Sequence, residues 1–178
     1  MVKLMKIIKQ QVVFAAAALI LSAAFKFSAN AQAGFSAQVL DDTEAAKIIP
    51  QSFYFAGQSA PTQMRNAFTA RIGKDRLVLA GLVDTSGYST EISGKYEGFL
   101  ITDSPITIRN LPLGAGAYGF GFSRNGSLNI FDLGARQILS VASQTDAGMK
   151  RPRPLQMIAV PRGIRLYKGR NFVLISAR

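Results

Sequence analysis

The stretch Tyr118-Gly119-Phe120-Gly121-Phe122-Ser123-Arg124-Asn125-Gly126-Ser127-Leu128-Asn129-Ile130-Phe131-Asp132 decides the fold class. Two apolar runs flank Asn125-Gly126. That dipeptide is the strongest short signal for a β-hairpin, because the tight turn joining two twisted strands needs positive φ. The pattern predicts strands over 117–123 and 127–132, paired antiparallel.

The same rhythm extends in both directions. Short apolar runs bounded by Gly, Pro, Asn or Asp predict further strands near 52–56, 65–72, 76–83, 96–102, 105–109, 137–141, 155–160, 163–168 and 171–176. In Ile164-Arg165-Leu166-Tyr167, Ile164 and Leu166 share one face and Arg165 and Tyr167 the other. Leu77-Val78-Leu79-Ala80-Gly81-Leu82-Val83 is apolar on both faces, which predicts a central strand. Lys168-Gly169-Arg170-Asn171 predicts a second tight hairpin. Short connections imply antiparallel neighbours, hence an all-β antiparallel sandwich or a partly closed barrel. Ahead of it, Asp41-Asp42-Thr43-Glu44 followed by Ala45-Ala46-Lys47-Ile48-Ile49 predicts one short helix, with Asp41 as N-cap and Pro50 as its stop.

The first 33 residues carry an address. Lys3, Lys6 and Lys9 precede an apolar run from Val12 to Leu21 that continues to Phe25, and the segment ends in Ala31-Gln32-Ala33. A basic head, an apolar middle and a small-x-small exit make a secretory signal, and the middle is shorter than the ~20 residues a spanning helix needs. The expected organisation is a signal peptide over 1–33, a linker and short helix over 34–50, and one β-domain over 51–178. Cleavage after Ala33 leaves 145 residues, enough for a single domain with its own core. The expected location is periplasmic or extracellular, with no transmembrane segment after cleavage.

Composition narrows the chemistry. The chain has no Cys and no His, so there are no disulfides and no ordinary ligands for a structural zinc. His-dependent triads and Cys–His pairs are equally excluded. No metal or cofactor is expected. The net charge of +11 is unevenly spread: residues 150–178 hold eight basic residues and no acidic one. Lys150, Arg151, Arg153, Arg165 and Lys168, with Arg162, Arg170, Tyr167 and Phe172 among them, offer a surface to an anionic envelope component. The same residues also suit the solvent side of ordinary strands, where Lys and Arg discourage edge pairing. Specific nucleic-acid binding is not expected, since no binding module is visible.

Three further segments raise a functional possibility. Gly114-Ala115-Gly116-Ala117-Tyr118-Gly119 matches G-x-G-x-x-G, but a strand rather than a helix follows it, so the glycines are read as sites of bending or close strand contact. Val83-Asp84-Thr85-Ser86-Gly87 is similar to the Asp-Thr-Gly loop of aspartic proteases. Ser86 breaks that spacing, which leaves Asp84 as a turn cap before Tyr88. Residues 58–66 are read as a polar loop between strands, in which Gln63, Arg65 and Asn66 present donors either to a ligand or to backbone at the sheet ends. Asp84 and Tyr88 complete the candidate ligand-binding set; no catalytic residue is assigned.

Read together, Gly57-Gln58-Ser59-Ala60-Pro61, Leu82-Val83-Asp84-Thr85-Ser86-Gly87-Tyr88, Tyr96-Glu97-Gly98, Gly116-Ala117-Tyr118-Gly119-Phe120 and Lys150-Arg151-Pro152-Arg153-Pro154 resemble, in order, segments of a family of small exported bacterial proteins with no assigned activity. The resemblance covers roughly residues 50–178 and implies a shared fold. Asn110-Leu111-Pro112 with Gly116-Ala117-Tyr118 also resembles the Leu-Pro-x-Gly-x-Tyr hairpin of prealbumin-like sandwich modules, with two residues inserted.

The expectation is therefore an exported binding or interaction protein of the envelope, not an enzyme. Three alternatives stay open: a closed barrel carrying a small apolar molecule, an outer-membrane barrel, and a histidine-free hydrolase using Asp84, Glu91, Glu97 or Asp103.

Overall fold

A computed structural model describes residues 36–178; the expected signal peptide lies outside the described residues. The elements run β1 (Ala37–Val39), α1 (Asp42–Ala46), β2 (Ser52–Phe55), β3 (Gln58–Ile72), β4 (Arg76–Val83), α2 (Thr90–Ser93), β5 (Gly98–Thr102), β6 (Ile106–Ile108) and β7 (Leu111–Leu113). There follow β8 (Gly116–Phe122), β9 (Ser127–Phe131), β10 (Gln137–Ala142), β11 (Gln144–Thr145), β12 (Arg153–Val160), β13 (Gly163–Gly169) and β14 (Asn171–Ala177).

Strand alternation sorts these elements into two antiparallel sheets. The first has the order β1-β3-β4-β5-β8-β9-β10, with β2 also pairing β3. The second has the order β12-β13-β14-β6-β7, with β11 on β14. Inward residues of the first sheet, among them Val78, Ala80, Leu100, Phe120 and Ile130, meet Ile106, Leu155, Leu166, Val173 and Ile175 of the second in one buried core. Each large apolar side chain taken out of water there contributes roughly 1.5–3 kcal/mol. The all-β sandwich is the fold.

Neither sheet closes, since each ends in edge strands, and packed side chains fill the space between them. That overturns the closed-barrel architecture assumed for the carrier and for the spanning barrel. Among the described residues no helix is long and apolar enough to cross a membrane.

A second core lies on the outer face of the first sheet. Leu79, Val83, Phe99 and Phe131 pack there against Phe53, Phe55, Tyr88, Tyr96 and, from the α1 region, Leu40, Ala45 and Ile49. Alternate residues of β4 thus enter two different cores, which is why its sequence is apolar on both faces. Asp41 caps α1 by accepting the Glu44 N–H at 2.8 Å, as the sequence predicts, but the helix is only five residues long.

The β8–β9 hairpin turns where Asn125-Gly126 predicts. Only Gly126 has positive φ, +82°, and its N–H bonds the Ser123 carbonyl at 2.9 Å, so the loop is a three-residue turn. The segment resembling the Leu-Pro-x-Gly-x-Tyr hairpin is instead a crossover, from β7 in the second sheet to β8 in the first. Tyr118 fastens it, its hydroxyl donating to the Gly114 carbonyl at 3.1 Å.

Candidate functional site

The polar stretch expected to be a loop belongs to β3. Thr62 pairs with Val83 and Ala67 with Gly81, so residues 63–66 bulge out of the ladder. Gln63 replaces part of the lost pairing by donating to the Val83 carbonyl at 3.0 Å, and Asn66 donates to the Gln63 side-chain oxygen at 3.0 Å. Both therefore hold the bulge. Arg65 lies between them, exposed and without a partner of this kind among the described residues.

β12 packs beside β1 and β3 at one edge of the sandwich. There the bulge, α1 and the start of β12 enclose a concavity of about 310 Å³. Ala45, Ile49, Met64 and Phe68 supply apolar lining; Arg65, Arg153 and Asp42 supply charge. The volume is at the small end of ligand clefts, which run roughly 300–1,000 Å³. Arg65 from the first sheet and Arg153 from the second thus line one concavity with apolar side chains between the elements that carry them. Neither is in an ion pair among the described residues, where the ion pairs are Lys95–Glu91, Arg136–Asp132 and Lys168–Glu97. Lys150 and Arg151, also exposed, immediately precede the strand that carries Arg153.

Other expected site residues lie elsewhere. Arg165 and Tyr167 share the outer face of the second sheet, as the alternation predicts. Lys168 does not join them: it turns toward the first sheet and pairs with Glu97. The C-terminal basic residues are therefore not one surface, because strand alternation divides neighbours between opposite faces. Asp84 accepts the Ser86 N–H at 3.0 Å, and that bond holds its carboxyl below the usual range. It is a turn cap. Tyr88 is buried in the second core, its hydroxyl within reach of the Phe55 and Gln58 carbonyls at 3.1 and 3.0 Å.

The carboxylates considered for hydrolysis are each committed separately. Glu91 pairs with Lys95, Glu97 with Lys168, and Asp103 accepts the Leu77 N–H at 3.0 Å. Among the described residues no three acidic side chains cluster as they would to hold a metal. Of the glycines in the G-x-G-x-x-G match, Gly119 serves close packing. A Cβ on Gly119 would sit 2.3 Å from the Phe55 ring, and β8 continues where a phosphate-binding helix would have to begin.

Sequence reasoning missed Asp146. Its carboxylate accepts the Tyr167 hydroxyl at 3.0 Å, and Tyr167 in turn accepts from Arg165 at 3.3 Å. The Asp-Ala-Gly turn at 146–148 was the available signal, since Asp146 also accepts the Gly148 N–H at 3.0 Å. Compared with protein-family models, curated proteins and solved structures, the chain matches none.

Proposed function

We propose that this is an exported binding protein of the bacterial envelope that engages an anionic envelope component through the edge bearing Arg65, Arg153, Lys150 and Arg151. One observation carries the proposal: Arg65 and Arg153, from different sheets and in no ion pair among the described residues, line one concavity together with apolar side chains. Such an edge suits a partner with a negative headgroup and adjoining hydrocarbon, as an anionic lipid surface presents. Arg supplies planar donors matched to phosphate and carboxylate oxygens. Binding rather than catalysis fits a chain without His or Cys whose candidate carboxylates are tied into turns and ion pairs.

Export is supported by the signal pattern over residues 1–33. The intact mass of the protein recovered from its host envelope tests it: a chain beginning at Gly34 is expected, and one retaining Met1 would contradict processing. Release of that protein from the envelope fraction by salt tests the partner class. Charge-driven contact weakens steeply as ionic strength rises, whereas retention at high salt would point to a different surface.

A further inference from the structure

On the outer face of the second sheet, away from the Arg65–Arg153 edge, we propose a second binding site, one that captures the terminal carboxylate of a polypeptide ending in an apolar residue. The site is a concavity of about 230 Å³ lined by Gln144, Val160, Arg162, Arg165, Phe172 and Leu174 among others. No carboxylate lines it, and neither Arg162 nor Arg165 belongs to an ion pair among the described residues.

Arg165 is oriented before any ligand arrives. Its guanidinium carbon lies 4.5 Å from the centroid of the Phe172 ring, over its face. One of its amino groups donates to the Tyr167 hydroxyl at 3.3 Å, and that hydroxyl donates to Asp146 at 3.0 Å. Both aromatic rings are buried, and they lie 5.0 Å apart as a cross-strand pair between β13 and β14. Asp146 is itself fixed by the Gly148 N–H. The chain Asp146–Tyr167–Arg165 therefore resembles a strut: its carboxylate end is anchored in a turn, and its cationic end stands at the concavity. A guanidinium stacked on a ring keeps its edge donors free for acceptors in its own plane, the geometry of bidentate carboxylate binding.

The lining of the concavity selects the ligand. Two guanidinium groups with no acidic residue in the lining, beside Phe172, Leu174 and Val160, suit an anionic end group that adjoins an apolar one. A carboxylate on Arg165 places the last side chain against Phe172, Leu174 and Val160, with Gln144 available to the preceding peptide group. Capture of a C-terminal carboxylate is a known recognition mode, there by backbone N–H groups; here the Arg165 guanidinium takes their part.

The test is an NMR titration of the protein with N-acetyl-Ala-Leu, its C-terminal amide, and hexanoate. The free acid should perturb residues around Arg165 and Phe172 and bind about tenfold more tightly than the amide. Arg165→Gln should lose that preference. Arg165→Lys should lose most of it, since the charge remains but the planar fork does not. Tyr167→Phe should weaken binding less, as expected of a positioning residue, and Lys74→Gln, at the exposed β3–β4 turn outside both sites, should leave it unchanged. Equal binding of acid and amide, binding of hexanoate as tight as that of the dipeptide, or no saturable shift would each overturn the proposal. None of these results bears on the Arg65–Arg153 edge, whose failure would show only on anionic lipid.

Discussion

Glu97 and Lys168 join the two sheets of the sandwich. They stand 71 residues apart in sequence, and their side chains form an ion pair between the residue just before β5 and β13. The second carboxylate oxygen of Glu97 accepts the Phe122 N–H at 2.9 Å, so one acidic group also ties β8. Both side chains are about a third exposed, so water screens part of the attraction.

We predict that Glu97→Gln destabilises the fold by about 1–2 kcal/mol in urea unfolding, a value between those of exposed pairs and charged hydrogen bonds. Lys168→Glu should cost more, because it sets two carboxylates against each other, and Glu97→Lys added to it should recover part of the loss. No recovery in the double variant would mean that the pair is not coupled. Charge reversal at Lys168 is thus a stability experiment, and a loss of anion binding in that variant says nothing about a binding face.

Tyr96 has a fully buried hydroxyl that lies beside the Tyr88 hydroxyl but has no partner in hydrogen-bond geometry among the described residues, the Tyr88 hydroxyl being committed to the Phe55 and Gln58 carbonyls. Removing an unsatisfied buried polar group relieves its desolvation penalty, so Tyr96→Phe should be neutral or stabilising by about 1 kcal/mol. Tyr88→Phe, 5.3 Å away ring to ring, should destabilise by about 1 kcal/mol, because the Tyr88 hydroxyl bonds the carbonyls flanking the β2–β3 turn. Thermal melts of the two variants should therefore move in opposite directions; a large loss for Tyr96→Phe would contradict this.

The same phenol sets an alkaline limit. Burial, with Tyr88 beside it, pushes the Tyr96 pKa far above its ordinary 10.0. Above pH 10 the unfolded chain gives up this proton while the folded chain keeps it, so stability falls with rising pH. Unfolding free energies below and above pH 10 should show a steeper decline in the parent protein than in Tyr96→Phe. Equal declines would exclude Tyr96 as a contributor.

Gly119 and Phe55 occupy adjoining space in the outer core, where the Phe55 ring stacks on Tyr96 with centroids 4.0 Å apart. Gly119→Ala should cost about 2 kcal/mol by overpacking, and combining it with Phe55→Leu should recover part of that cost. Strictly additive effects in urea unfolding would show that the two positions do not meet.

Most strands were legible because their apolar runs are bounded by strong turn residues; β4 begins and ends where the sequence places it, at Arg76 and Val83. What stayed hidden is short or polar. β7 is Leu111–Leu113, and its turn puts Arg109 and Asn110 at positive φ without a glycine. The first half of β3 is polar, and it pairs with β2 through Ala56-Gly57, with Ala56 at φ +49°, where Ala gives no turn signal. The bulge that presents Arg65 depends on Gln63 and Asn66 bonding locally, which composition does not reveal. The meeting of Arg65 with Arg153 depends on how the sheets stack, and no local pattern encodes it. Alternation did place Arg165 and Tyr167 on one face. It also implied that Lys168 faces the other way, but charge alone had grouped them.

The most direct measurement compares binding of the protein and of Arg65→Gln/Arg153→Gln to phosphatidylglycerol and phosphatidylcholine vesicles at low and high salt. The parent protein should bind only phosphatidylglycerol and lose affinity as salt rises, and the double variant should bind about tenfold more weakly while unfolding at the same urea concentration. Binding that is indifferent to headgroup charge, or unchanged in the double variant, would contradict the assignment of this edge as the anionic contact.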